Sequence, residues 1–119
     1  MQQARTISGM IRFQNIARSA QNVTVYVRVD ETSRADAPAS RLAEVVLHGV
    51  SIFPGSPPLG FTMRDLVPRA SGRYLVRVHA DVDGDGRVSR GDYISMQSYP
   101  VLLPGANTDV IDIVAREVR

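Results

Sequence analysis

The sequence predicts an all-β protein, an antiparallel β-sandwich of about seven strands of the immunoglobulin-like or transthyretin-like kind, with a closed barrel as the second candidate fold. Apolar residues alternate with polar ones at period two in several short segments, which is typical of strands with one buried face. Turn-forming residues separate these segments, and no segment shows the apolar period of an amphipathic helix. The 119 residues suffice for one core, so residues 1–119 are predicted to form a single β-sandwich domain.

Each predicted strand is identified by its alternating face. The clearest lies at residues 23–30, where valine occupies every second position. The others, in chain order, lie at residues 7–13, 45–47, 59–63, 74–80, 94–101 and 111–116. Three of these have especially regular apolar faces, formed by Ile7, Gly9, Ile11 and Phe13, by Tyr74, Val76, Val78 and Ala80, and by Ile111, Ile113 and Ala115. Turn formers at residues 36–38, 54–58, 71–72 and 104–107 separate the strands.

Composition excludes several classes of protein. The absence of cysteine excludes disulfides, thiolate metal sites and a cysteine nucleophile. No apolar stretch approaches the roughly 18 residues of a membrane span, and residues 1–5 lack the pattern of a signal peptide. The 14 basic side chains are all arginine and are scattered along the chain without interleaved aromatics, so nucleic-acid binding is not expected.

The most specific motif is an acidic loop at residues 81–92, with the spacing of an EF-hand calcium loop. Aspartates occupy loop positions one, three, five and twelve, and glycine occupies position six. Calcium takes six to eight oxygen ligands, so its loop must turn tightly and direct many oxygens inward. The predicted metal ligands are Asp81, Asp83, Asp85, the backbone carbonyl of Arg87, Ser89 and Asp92, with Gly86 at the bend. Ca²⁺ is therefore the predicted cofactor.

Three details qualify this loop. The motif usually ends in a bidentate glutamate, and the shorter Asp92 predicts weak to moderate affinity. Residues 74–80 before the loop read as a strand and not as the helix of an EF-hand, so the loop is expected to connect two strands. The alternative is a solvated hairpin loop, but an ordinary turn needs only one Asp and one Gly, whereas crowded carboxylates repel each other unless a cation neutralises them.

His79 precedes the loop by two positions and is able to share a strand face with Asp81. That placement suggests a transition-metal site or a general base, but the simpler prediction is a surface residue of the strand. A hydrolase would need a nucleophile activated by a nearby base, and the sequence contains no glycine-flanked serine motif or paired histidines. No catalytic residue is predicted.

Several segments resemble the YbaY/YscW-like family of bacterial envelope lipoproteins. They are VRVDETSRADAP at residues 27–38 followed by LAE at 42–44, Phe61 after the Pro-rich turn, GRYLVRV at 72–78 and SYPVL at 98–102. The resemblance implies a periplasmic β-sandwich, and some relatives act as pilotins or chaperones for outer-membrane components of type III secretion. Two features depart from the family: its anchor cysteine is absent, and the Asp-rich loop replaces what looks like a shorter hairpin.

The sequence hypothesis is thus a calcium-binding, non-enzymatic module of the bacterial cell envelope that binds another envelope protein in a pilotin- or chaperone-like role. Two alternatives stay open, a carbohydrate-binding module and a small envelope hydrolase. The lack of tryptophan weakens the first, because carbohydrate binders expose an aromatic platform.

Overall fold

Eight β-strands make up the regular structure in the computed structural model, which describes residues 4–32, 40–105 and 107–119. They are β1 (Arg5–Gln14), β2 (Ala20–Glu31), β3 (Ser40–Ile52), β4 (Leu59–Leu66), β5 (Tyr74–Asp81), β6 (Tyr93–Ser95), β7 (Pro100–Val101) and β8 (Thr108–Glu117). The predicted all-β class is confirmed. The predicted turn at residues 36–38 and Ala106 of the last predicted turn lie outside the described residues.

All eight strands belong to one continuous sheet, in the order β3-β2-β5-β6-β8-β1-β4, with β7 also paired to β5. The prediction of two separate sheets packed face to face therefore needs correction. The short strand β6 pairs with β5 on one side and β8 on the other, so hydrogen bonding continues where a sandwich would have a gap. The neighbouring β1 and β8 run parallel, while the other pairs are antiparallel.

The sheet curls until its two end strands, β3 and β4, approach each other, which makes it a nearly closed barrel. The strands β1, β2, β4, β5 and β8 put their apolar faces on the inside of this barrel. The buried interior includes Ile7 and Ile11 of β1, the four alternating valines of β2, Val76 and Val78 of β5, and Ile113 and Ala115 of β8. Period two in the sequence thus identified the buried face of these strands correctly.

The predicted strand at residues 94–101 is interrupted. Its two ends pair with β5 as β6 and β7, whereas residues 96–98 leave the sheet. Two hydrogen bonds define the departure: the Ser95 hydroxyl accepts from the N–H of Val78 at 2.9 Å, and the Tyr99 carbonyl accepts from the N–H of Val76 at 3.0 Å. Residues 96–98, the bulge between β6 and β7, line one cavity together with Arg77 and His79 of β5. No helix long and apolar enough to cross a membrane occurs in the described part of the chain.

Candidate metal-binding loop

The acidic loop connects β5 to β6, as the sequence predicted for a connection between two strands. Asp81 is the last residue of β5, and Tyr93, directly after Asp92, is the first residue of β6. Gly84 and Gly86 have φ angles of +74° and +76°, in the left-handed region that side chains other than glycine rarely adopt. Gly86 therefore forms the sharp bend expected at loop position six.

The loop brings together the four carboxylates that the spacing singled out. One carboxylate oxygen from each of Asp81, Asp83, Asp85 and Asp92 lies within 4.8 Å of the corresponding oxygens of the other three. Asp81 and Asp92 are buried at the base of the cluster, while Asp83 and Asp85 are exposed at its mouth. A set of oxygen atoms at this spacing has the chemistry that a hard divalent cation prefers.

Backbone N–H groups of the loop hold all four of these carboxylates in place. Asp81 accepts hydrogen bonds from the N–H groups of Gly84 (3.1 Å) and Gly86 (2.8 Å), and Asp85 accepts from the N–H of Arg87 (2.9 Å). Asp83 accepts from the N–H of Asp85 at 3.4 Å. The loop thereby offsets part of the repulsion between its own acidic groups.

Ser89, predicted to contact the ion through water, donates its hydroxyl hydrogen to Asp83 Oδ2 at 2.8 Å. This bond is the main cause that lowers the pKa of Asp83 below its ordinary value of 3.8. Arg87 is exposed, and its predicted contribution is a backbone carbonyl.

Asp92 is engaged more fully than the other three aspartates. Its side chain is 1% exposed. Oδ1 accepts from the N–H of Val82 at 2.9 Å, and Oδ2 accepts from the N–H of Ser89 at 3.2 Å and lies 2.7 Å from Nε2 of His79. Asp92 thus connects Val82 and Ser89 of the loop to His79 of β5, which leaves it less free to bind an ion with both oxygens than the sequence motif suggests.

His79 differs from the prediction of a surface residue, since only 6% of it is exposed. It does lie on the same face of β5 as Asp81, but the loop folds back over that face and Asp92 covers the imidazole. On its other side the ring stacks on Tyr26 of β2, with centroids 5.9 Å apart. His79, Asp81 and Asp92 form a second, fully buried group of potential metal ligands. The sequence indicated that His79 and Asp81 share a strand face. It did not indicate that the loop returns over this face and buries His79.

The same contacts bear on catalysis. The Ser89 hydroxyl donates to Asp83, while Nε2 of His79 is directed to Asp92. Ser89 and His79 are therefore each engaged by a carboxylate, and no serine–histidine hydrogen bond connects them within the described residues. These two side chains of the loop region therefore lack the arrangement of an activated nucleophile.

A nearly closed, eight-stranded all-β fold with an acidic loop between β5 and β6 defines the structural class of the protein. The chain belongs to the YscW family, described as type III secretion system lipoprotein chaperones, whose family model matches residues 2–113. The family resemblance noted in the sequence is confirmed to this extent. The matched residues include the β5–β6 connection with its acidic loop.

One solved structure has a similar fold, that of an alternative pilotin from the type II secretion system of Vibrio cholerae. The two chains are 24% identical with a TM-score of 0.75, and the match covers 98% of this chain and 99% of that one. The likeness therefore extends over the whole fold. No curated protein sequence matches the chain.

Proposed function

We propose that this protein is a non-enzymatic accessory of a bacterial secretion system, acting in the cell envelope as a chaperone or pilotin for an outer-membrane component. The family match over residues 2–113 carries this proposal. The whole-chain likeness to a pilotin of another secretion system supports the same class of role. The absence of a serine–histidine pair in the described residues is consistent with a binding protein.

The alternatives have weaker support. A carbohydrate-binding module needs an exposed aromatic platform. Among the described residues, Phe53 is the one exposed aromatic residue, with 42% of its surface accessible, and the others are buried or half-buried. A hydrolase needs an activated nucleophile, which the acidic loop does not provide. We therefore expect no turnover in an esterase or glycosidase screen.

Deletion of the gene in its host tests the accessory role. The amount of the secretion system's outer-membrane component in the outer-membrane fraction is expected to decrease. Without its chaperone, the client protein is unprotected on its way to the outer membrane. Quantitative immunoblotting of membrane fractions measures this, with complementation by the parent gene as the control. An unchanged level and location of the component, together with no co-purification of the two proteins, would refute the role.

We further propose that the loop binds Ca²⁺ as a structural clamp, through Asp81, Asp83, Asp85, the carbonyl of Arg87, Ser89 and Asp92. The supporting observation is the gathering of the four carboxylates within 4.8 Å. Magnesium fits less well, because it demands rigid octahedral geometry and keeps its waters. With a dissociation constant of about 0.1 mM and about 1 mM free calcium, binding would stabilise the fold by roughly 1.4 kcal/mol.

Calorimetric titration of chelator-stripped protein tests the calcium site. The parent is expected to give saturable heat with Ca²⁺ and much less with Mg²⁺, whereas Asp83→Ala/Asp85→Ala gives none, since it removes the two exposed ligands. Asp112→Ala, at an exposed aspartate of β8 outside the loop, is the matched control and is expected to titrate like the parent. Absence of heat in the parent, or equal heat in the double variant, excludes the site.

A further inference from the structure

A groove of about 350 Å³ lies on the outer face of β2 and β5, and we infer that it is the docking site for an acidic, amphipathic segment of the client protein. The inference rests on the proposed accessory function and identifies the surface and the chemistry of the partner. We call this surface the basic groove; its floor carries Arg28 and Arg77, Arg41 lies at its side, and Val88, Ile94 and Met96 form its apolar side.

The floor of the basic groove concentrates positive charge. Arg28 of β2 and Arg77 of β5 are direct cross-strand partners, an arrangement in which like charges repel. Glu44 is shared between Arg28, at 2.6 Å, and Arg41, at 3.3 Å. Asp30 lies 3.5 Å from Arg77. Three guanidinium groups thus face two carboxylates.

The arginines also keep free capacity for a ligand. Each guanidinium has five N–H donors, and the ion pairs to Glu44 and Asp30 use few of them. The side chains of Arg77 and Arg41 are 58% and 49% exposed, so a carboxylate can approach them without deep burial of either partner. An acidic segment would relieve the repulsion between Arg28 and Arg77. A basic segment would increase it.

The opposite side of the basic groove selects for apolar side chains. Met96, in the bulge between β6 and β7, and Val88, in the acidic loop, are each 55% exposed. Ile94 also lines the groove and is half-buried. Methionine is flexible and polarizable, so it adapts to partner side chains of different shapes. One basic side and one apolar side together fit a segment with acidic residues on one face and apolar residues on the other.

Titration of the ¹⁵N-labelled protein with a synthetic peptide tests the groove. The probe is an amphipathic peptide with Glu on one helical face and Leu on the other; its counterpart carries Gln in place of Glu. The acidic peptide is expected to bind saturably, with shifts at amides of residues 28, 77, 88 and 94–98. It should bind about 10-fold more tightly than the Gln peptide, because about 1.4 kcal/mol of charge-assisted contacts is lost with the charges.

Protein variants complete the test. Arg28→Gln/Arg77→Gln is expected to weaken binding of the acidic peptide about 10-fold, and Met96→Ser to weaken both peptides. Arg12→Gln, at an exposed arginine of β1, is the matched charge control and should bind like the parent. Since these side chains lie outside the core, dispersed amide spectra should show that each variant is folded. Equal binding of the two peptides, shifts located elsewhere, or no saturation at millimolar peptide would overturn the proposal.

The client itself separates this proposal from the accessory role. If the client co-purifies equally with the parent and with Arg28→Gln/Arg77→Gln, the basic groove is not its docking site and the accessory role is retained. If the client binds the parent and not the double variant, the groove is supported. If no client binds the parent while the peptide titrations behave as expected, the accessory role fails and the groove is retained as an acidic-peptide site.

Discussion

Replacing Asp92 by alanine is expected to lower the free energy of unfolding by about 3–5 kcal/mol, even without calcium. The Asp92 carboxylate is buried and contacts the N–H groups of Val82 and Ser89 and the imidazole of His79. Truncation leaves these groups in a buried environment without their partner, and each unsatisfied polar group costs about 1–3 kcal/mol. Urea denaturation of chelator-stripped protein, followed by circular dichroism, measures the loss.

Asp85→Ala is the matched control, because it removes the same side chain from the same loop. Asp85 is exposed and accepts one hydrogen bond, from the N–H of Arg87, which can turn to water instead. Its replacement is expected to cost less than about 1 kcal/mol in the absence of calcium. A similar loss in the two variants, or a small loss in Asp92→Ala, would show that Asp92 does not hold the loop in place.

This contrast bears on the calcium proposal. In the sequence pattern, Asp81, Asp83, Asp85 and Asp92 are all candidate ligands. In the structure, Asp83 and Asp85 are exposed at the mouth of the cluster, whereas Asp92 is committed to the protein scaffold. Substituting the exposed pair therefore tests ion binding, while substituting Asp92 tests the fold of the loop.

The strands were predictable from local sequence because burial imposes period two. The alternating valines of β2 and the alternating face of β5 appear in the structure on the inside of the sheet. The number of sheets was not predictable in this way, because alternation identifies the buried face of a strand but not its neighbours. Pairing of β6 with both β5 and β8 depends on only three residues, Tyr93–Ser95, and no local signal marks such a short bridge.

The functional surfaces show the same limit. The acidic loop is contiguous in sequence, so its spacing was recognisable. The contact between His79 and Asp92 depends on the return path of the loop. The basic groove combines arginines of β2, β3 and β5 with Met96 of the bulge, and these residues are far apart in sequence. Such a surface becomes visible only when strand register is known.

Adding a single methyl group at Gly9 is expected to destabilise the protein by about 2–4 kcal/mol. Gly9 lies on β1 opposite Ile111 of the parallel strand β8. A Cβ atom at this position would lie 2.2 Å from the carbonyl oxygen of Ile111 and 3.1 Å from the ring of Phe61. The nearest atom belongs to the backbone of the sheet, so rotation of a side chain cannot relieve the clash. The two strands must separate, which weakens the parallel pairing that continues the sheet from β8 to β1.

Gly60→Ala provides the comparison, because Gly60 lies opposite Met10 in the antiparallel pair of β1 and β4. Its Cβ would meet the Met10 sulfur at 3.5 Å, an ordinary contact. With nothing to displace and less entropy lost on folding, this variant is expected to be as stable as the parent or up to about 1 kcal/mol more stable. Thermal and urea unfolding of both variants measure the difference. If Gly9→Ala and Gly60→Ala unfold at the same temperature and urea concentration, then β1 and β8 do not pack closely enough at Gly9 to exclude a Cβ atom. The sheet would then not be continuous from β8 to β1.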